Sequence, residues 1–209
     1  MKFIFAFGEN PPGTESENNE RICLTMEKKQ LLDMIMDAIG NKDYDPRELT
    51  GDVPGYDRAI EILCAVSPSP MTFGDVPESP KGKTRYEAYD HAGGRGIIGW
   101  CLPEAQTVRA LLHEIAHAVL HPWPDGKKPE CWYDAQRSRE VQAEAVAFAV
   151  CRHYGLDTSA YSIPYIAGWA RKLSVPEIEA DIGIALRAAQ DLIAAIDAEI
   201  LKRRPADPA

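Results

Sequence analysis

Two histidines, His113 and His117, lie four residues apart, and a glutamate, Glu114, directly follows the first of them. If this segment is helical, both imidazoles project from one face about one turn apart and can bind a single metal ion. Glu114 then lies beside the ion, where its carboxylate can accept a proton from a water molecule. The H-E-x-x-H pattern therefore predicts a zinc site with hydrolytic chemistry.

A catalytic zinc ion needs a third protein ligand and one open coordination position. Glu140 and Glu144 lie four residues apart in a later segment rich in Ala, Val and Phe, so a helix there would bury both carboxylates on one face. We predict that Glu140 binds the ion and that Glu144 hydrogen-bonds a ligand histidine and fixes its orientation. The reverse assignment of the two glutamates stays open.

The segment that carries the two histidines is apolar nearly all the way round, so we expect its helix to be buried. Burying polar groups without partners is unfavourable, and a bound ion would satisfy them. The alternative is a pair of ordinary core or surface histidines. That alternative leaves unexplained the second buried carboxylate pair, about 23 residues downstream.

Other polar residues near these segments have weaker claims to a role in the chemistry. His121 continues the four-residue spacing, but it lies beside prolines at the expected helix end, where we predict a cationic cap. We expect His91 and His153 to be surface or otherwise satisfied histidines. Tyr161 and Tyr165 follow the second helix closely enough to reach an oxyanion, although core packing is the favoured alternative for both.

The surrounding elements follow from periodicity, proline and glycine. The expected elements are a strand at Met1–Phe7, a polar loop at Asn10–Glu20, a helix at Met26–Ile39 that ends at Gly40, a helix at Tyr56–Val66, a Pro-rich connection from Ser67 to Gly82, a hairpin or pair of edge strands at Thr84–Trp100, a helix from Pro103 to His121, a helix at Ser138–Tyr154 that ends at Gly155, and a helix capped by Ser174 and Glu177 that runs to Lys202. These elements predict an α+β fold in which a small mixed or antiparallel sheet packs on the H-E-x-x-H helix. We expect one domain over residues 1–209, with an acidic region at 1–80, a catalytic core at 84–170 and a C-terminal helix at 174–203.

Composition excludes several classes of function. The chain has 209 residues, of which 45% are hydrophobic and 26% charged, and no run approaches the roughly 18 apolar residues that cross a membrane. Five scattered cysteines without a C-x-x-C pair indicate a reducing cytoplasm. Residues 1–80 carry 15 acidic and 7 basic side chains, which disfavours nucleic acid as a partner. A protein or peptide substrate is expected.

The segments Leu112–Ala118 and Arg139–Glu144 resemble the ImmA/IrrE family of metallo-endopeptidases and the C-terminal metallopeptidase domain of ArdC-type antirestriction proteins. The run Cys151–Ser159 is most similar to the ArdC-like branch, which mobile elements carry. The resemblance covers approximately residues 84–169. It implies a zincin-like, gluzincin-like fold, one zinc ion on His113, His117 and Glu140, and Glu114 as the catalytic base.

Two functions are therefore expected from the sequence. The first is a zinc-dependent metallopeptidase with a narrow, regulatory or mobile-element-associated substrate range, which holds an extended peptide on an edge strand near Ile97–Trp100. The alternative is a zinc-containing accessory or antirestriction protein that binds its target without cleaving it. A purely structural zinc is disfavoured because such sites usually have four protein ligands. The single-stranded-DNA-binding domain of ArdC-type proteins is not expected in the short acidic region upstream.

Overall fold

The computed structural model describes residues 17–41, 45–77, 86–123, 127–130, 132 and 135–203, with side chains from Lys28 onward. The expected strand at Met1–Phe7 lies outside the described residues, as does the hairpin segment 84–85. The elements in chain order are α1 (Glu17–Gly40), α2 (Tyr56–Val66), β1 (Met71–Gly74), β2 (Glu87–Asp90), β3 (Arg95–Gly99), α3 (Glu104–Leu120), α4 (Gln136–His153), α5 (Ser159–Ala170) and α6 (Val175–Lys202). The described architecture is mixed α and β, mostly helical, with one small sheet.

Within the described residues, the sheet has three strands in the order β1-β3-β2. β2 and β3 form the expected antiparallel hairpin, with Ala88 opposite Ile97. β1 pairs parallel to β3, so the prediction of an edge strand near Ile97–Trp100 is wrong: β3 is the central strand. The four-residue β1 lies inside the Pro-rich connection, and it is too short to produce a recognisable alternation.

Helix α3 packs on the sheet and on α4, and nearly all of its residues are buried, as its apolar sequence predicts. Ile98 of β3 is fully buried and belongs to the same core. Gly96 allows the close approach of strand and helix, because a Cβ atom there would collide with the Met71 sulfur and lie 3.2 Å from Cβ of Glu114. This packing places Glu114 of the H-E-x-x-H motif next to the sheet.

Helix α4 is the central helix, in contact with α3, α5 and α6. Its expected end is confirmed, since Gly155 follows it with φ of 84°. Helix α5 was not predicted from the sequence, and it contains Pro164 in its interior. Proline leaves the carbonyl four residues earlier without a helical donor. In this fold the backbone N–H of Arg47 donates to that carbonyl, on Ala160, at 3.1 Å.

The first and last helices differ in how well the sequence predicted them. α1 begins at Glu17, so the expectation of a loop over Asn10–Glu20 is wrong for its last four residues. That turn is polar and shows no apolar periodicity, although glutamate is a good helix former. α6 and its capping box are confirmed: the Glu177 carboxylate accepts hydrogen bonds from both the backbone N–H and the hydroxyl of Ser174. None of the described helices is long and apolar enough to cross a membrane.

Candidate metal centre

Two helices bring His113, His117 and Glu140 together. The Nε2 atoms of His113 and His117 lie 3.1 Å apart, on one face of α3. Glu140, from α4, has carboxylate oxygens 3.6 Å from Nε2 of His113 and 3.9 Å from Nε2 of His117. One ligand atom from each residue lies within 4.8 Å of the other two. The two nitrogens and one oxygen thus converge on one small volume.

Glu144 lies behind His113 and is fully buried. Its Oε2 accepts a hydrogen bond from Nδ1 of His113 at 2.7 Å, and its Oε1 accepts one from the Ser162 hydroxyl at 2.7 Å. Burial alone would raise the pKa of Glu144, but the charge of Arg109 and the contact with His113 outweigh it and hold the pKa at about 2. Glu144 is therefore an ionised acceptor that orients His113 with Nε2 toward Glu140.

Arg109 compensates the charge of Glu144 from inside the core. Its side chain is fully buried, and Nη1 donates to Glu144 at 2.7 Å while Nη2 donates to Glu87 of β2. The guanidinium also lies 4.1 Å from the ring centroid of Tyr161. Arg109, Glu87 and Ser162 were not predicted from the sequence. A charged residue one turn before His113 on an all-apolar helix was the signal that could have revealed Arg109.

A separate set of contacts lies behind His117. Its Nδ1 is 3.0 Å from Nδ1 of His121, whose Nε2 is 3.0 Å from Oε1 of Gln142. Gln142 in turn donates from Nε2 to Asp181 of α6 at 2.6 Å. Burial, with the nearby Arg139 charge, lowers the pKa of His121 to about 4. His121 is the C-cap residue of α3, as predicted, and its backbone N–H donates to the His117 carbonyl. The lowered pKa disfavours the cationic form that was expected with it.

The third candidate ligand, Glu140, also has a hydrogen-bonding partner. The Tyr165 hydroxyl donates to its Oε2 at 2.9 Å. Burial would raise the pKa of Glu140, but its contacts with His113, His117 and Tyr165 outweigh burial and hold the pKa at about 2. Of the two tyrosines considered as oxyanion donors, Tyr165 thus points its hydroxyl at the candidate ligand and Tyr161 packs its ring on Arg109.

Glu114 differs from the other two glutamates. It is buried, and its Oε2 has no hydrogen-bond partner within the described part of the chain. Burial raises its pKa to about 8, with a further contribution from the neighbouring carboxylate of Glu87. A group whose pKa lies near neutrality can both accept and return a proton at physiological pH. Glu114 is thus a buried carboxylate close to His113 that binds a proton more readily than an ordinary glutamate.

The two candidate ligand histidines differ in charge in the metal-free protein. Burial would lower the pKa of His113, but its contacts with Glu140 and Glu144 outweigh burial and raise the pKa well above its ordinary value. Burial lowers the pKa of His117. The contacts of His113 with two carboxylates therefore favour its protonated form, and a bound cation would compete with that proton.

Aromatic rings border the His117 side of the centre. The His91 ring lies 4.3 Å from that of Trp132 and 5.9 Å from that of His117, measured between centroids. Its environment is thus more enclosed than the surface position considered from sequence, and burial lowers its pKa to about 4. His153 is exposed, as expected.

Part of the chain is similar to a known protein. The chain is 34% identical over 98 residues to an uncharacterized protein of Bacillus anthracis; the match covers 46% of this chain and 16% of that protein. The chain thus corresponds to a small part of that relative's length. No family model matches the chain, and no solved structure matches it.

Proposed function

We propose that this protein is a zinc-dependent metallopeptidase with a zincin-like fold, akin to the ImmA/IrrE and ArdC-type enzymes that its motifs resemble. One observation carries the proposal: ligand atoms of His113, His117 and Glu140 lie within 4.8 Å of one another, beside the buried, unpaired carboxylate oxygen of Glu114. A hydrolytic site needs a carboxylate oxygen beside the ion that other groups do not occupy, because that oxygen receives the proton of the attacking water.

The donor set fits zinc. Two imidazole nitrogens and one carboxylate oxygen make the three-ligand set of catalytic zinc sites, which leave one position for water or substrate. Each of the three donors also has a partner behind it: Glu144 for His113, His121 for His117 and Tyr165 for Glu140. Such outer partners are typical of functional metal sites.

Zinc at this site would act as a Lewis acid that acidifies water and polarises the substrate carbonyl. Residues of the chain would carry out proton transfer and ligand orientation. Glu114 accepts the proton of the attacking water through Oε2 and can return it to the leaving amine. Glu144, held by Arg109 and Ser162, keeps His113 oriented through the reaction. The surrounding core excludes bulk water from Glu114, which strengthens these interactions.

The substrate side of the proposal is an extended peptide. β3 is central in the sheet, and among the described residues β2 is the edge strand whose side chains lie near the centre: Glu87 contacts Arg109, and the Tyr89 ring lies 6.5 Å from that of His117. Strand addition along β2 would supply main-chain hydrogen bonds to a peptide. The proposed substrates are a narrow set of regulatory or mobile-element-associated proteins.

The experiment that tests the function compares the wild type with Glu114→Gln, His117→Ala and Glu140→Ala, for zinc content and for cleavage of a mixed library of quenched fluorescent peptides. We expect about one zinc per chain in the wild type and in Glu114→Gln, and less in the other two variants. Glu114→Gln should lose about 10²- to 10⁴-fold in cleavage rate, the usual contribution of a general base. Equal cleavage by Glu114→Gln would refute the mechanism. Stoichiometric zinc without cleavage of any peptide would favour the non-proteolytic accessory protein instead.

A further inference from the structure

A chain of hydrogen-bonded side chains leads from His117 to the C-terminal helix. His117 Nδ1 lies 3.0 Å from His121 Nδ1, and His121 Nε2 lies 3.0 Å from Oε1 of Gln142. Gln142 Nε2 lies 2.6 Å from Oδ1 of Asp181. His117, His121 and Asp181 are all buried, with at most 7% of their surface exposed, so water does not compete freely for these contacts. The direction of donation along the chain decides which nitrogen of His117 holds a proton.

That direction follows from the Asp181 end. A carboxylate accepts hydrogen bonds and donates none, so Gln142 must turn its NH₂ group toward Asp181. Its amide oxygen, which only accepts, then faces His121. His121 must therefore hold a proton on Nε2. Because the buried His121 ring carries a single proton, its Nδ1 is an acceptor. The remaining contact requires His117 to donate from Nδ1.

We propose that His121, Gln142 and Asp181 are positioning residues that hold His117 in the tautomer protonated on Nδ1, which leaves the Nε2 lone pair free to bind a metal ion. The nitrogen of a histidine that binds metal is set by the hydrogen bond that its other nitrogen makes. With a metal ion bound, His113 would obtain the same result directly from Glu144, whereas His117 obtains it through two neutral side chains and a carboxylate on α6. The consequence for metal binding rests on the proposed function, but the tautomer is a property of the metal-free protein.

The tautomer can be read directly. In metal-free protein with ¹⁵N-labelled histidine, long-range ¹H–¹⁵N spectra distinguish a protonated from an unprotonated ring nitrogen. We expect His117 to be protonated on Nδ1 and not on Nε2, and His121 to show the opposite pattern. A His117 protonated on Nε2 in the wild type would overturn the inference, whatever the protein does with zinc.

Exchanging the carboxylate and the amide between positions 181 and 142 tests the direction of hydrogen-bond donation. In Asp181→Asn the new amide can donate as well as accept, so hydrogen bonds can run along the chain of side chains in either direction. We expect a second His117 signal, with Nε2 protonated, and weaker zinc binding. Adding Gln142→Glu places an acceptor-only carboxylate between His121 and the new amide, so His121 must again hold its proton on Nε2. The double variant should therefore regain a single tautomer and the zinc affinity of the wild type. A role in packing alone predicts that the double variant is no better than Asp181→Asn.

Two further variants complete the test, with zinc affinity measured by competition with a chelator. His121→Phe removes the acceptor for His117 and should weaken zinc binding about 10- to 100-fold, the range typical of outer partners of ligand histidines. Asp197→Asn is the matched control, because it makes the same change on α6 at a carboxylate that accepts from the Tyr154 hydroxyl at 2.8 Å, away from the centre. It should leave tautomer and affinity unchanged. Equal losses of zinc affinity in Asp181→Asn and Asp197→Asn would overturn the positioning role. A folded wild type that binds no zinc would refute the proposed function. In that case the measured tautomer of His117 alone would decide the inference.

Discussion

At the scale of single residues, the centre depends on side chains that touch no candidate ligand atom directly. Arg109 is the clearest case. It is fully buried between two carboxylates, Glu87 and Glu144, and only Glu144 contacts a ligand histidine. Removing one partner of a buried ion pair leaves an uncompensated charge, which is far more unfavourable than loss of a surface pair.

We therefore predict that Arg109→Met lowers the free energy of unfolding of the metal-free protein by about 3 to 5 kcal/mol. The control is Arg95→Met, which removes an exposed pair with Asp90 at 3.4 Å and should change stability by at most about 1 kcal/mol. Urea unfolding followed by circular dichroism measures both. Similar small changes in the two variants would show that the carboxylates around Arg109 are satisfied in another way.

At the scale of elements, α3 and α4 supply the candidate ligands, and shorter segments fix the positions of the surrounding helices by hydrogen bonds. The loop between α1 and α2 shows this most directly. Its backbone N–H groups donate to Gln106 and Glu104 in the first turn of α3 and, from Arg47, to the carbonyl of Ala160 in α5. One loop thus contacts the helix with the H-E-x-x-H motif and the helix with Ser162 and Tyr165.

Pro164 makes one of these contacts possible, which leads to a prediction for Pro164→Ala. The new backbone N–H can bond to the Ala160 carbonyl within α5, and it then competes with the N–H of Arg47. We expect faster amide hydrogen exchange at Arg47 in the variant. The amide of Leu49 in the same loop donates to the Gln106 side chain at 3.1 Å and should keep its protection. Unchanged exchange at Arg47 would show that the tertiary contact outcompetes the helical one.

At the scale of the whole molecule, buried histidines make the stability of the metal-free protein dependent on pH. The pKa values of His91 and His121 are lowered to about 4, and that of His117 is also lowered, from an ordinary value near 6.5. Below pH 6.5 the unfolded chain binds protons at these sites that the folded protein does not, so stability falls as the pH drops toward 4. Glu114 and His113 oppose this trend, because their raised pKa values favour the folded state at lower pH. Below pH 6.5, however, His113 is protonated in both states, so within this range Glu114 opposes three histidines.

We accordingly predict that the metal-free protein loses stability between pH 6.5 and 4.5, and that His91→Phe makes this dependence shallower. The exposed His153 provides the control, since His153→Phe should leave the pH profile unchanged. Thermal unfolding in the presence of a chelator, measured across this pH range, tests both variants. A profile that stays equally steep in His91→Phe would show that the His91 ring is charged in the folded protein.

The sequence alone was enough to predict the features that depend on neighbours along the chain. Four-residue spacing grouped His113, Glu114 and His117 on one helix and paired Glu140 with Glu144 on another. Apolar periodicity, prolines and glycines predicted α2, α3, α4 and α6 to within about two residues of their ends. These patterns are local, so each can be read within a window of a few helical turns.

Only the tertiary structure decided which side chains stand behind the candidate ligands and how the strands are ordered. Arg109 and Ser162 hydrogen-bond Glu144, and Arg109 also contacts Glu87. Asp181 is linked to His117 through His121 and Gln142. These residues are too far apart in the sequence for helical or strand periodicity to pair them. The position of β1 beside β3 likewise depends on a parallel pairing between distant segments. Local spacing sets which residues share a helical face, whereas the partners of a buried polar group are set by whichever distant segments the core brings within hydrogen-bonding distance.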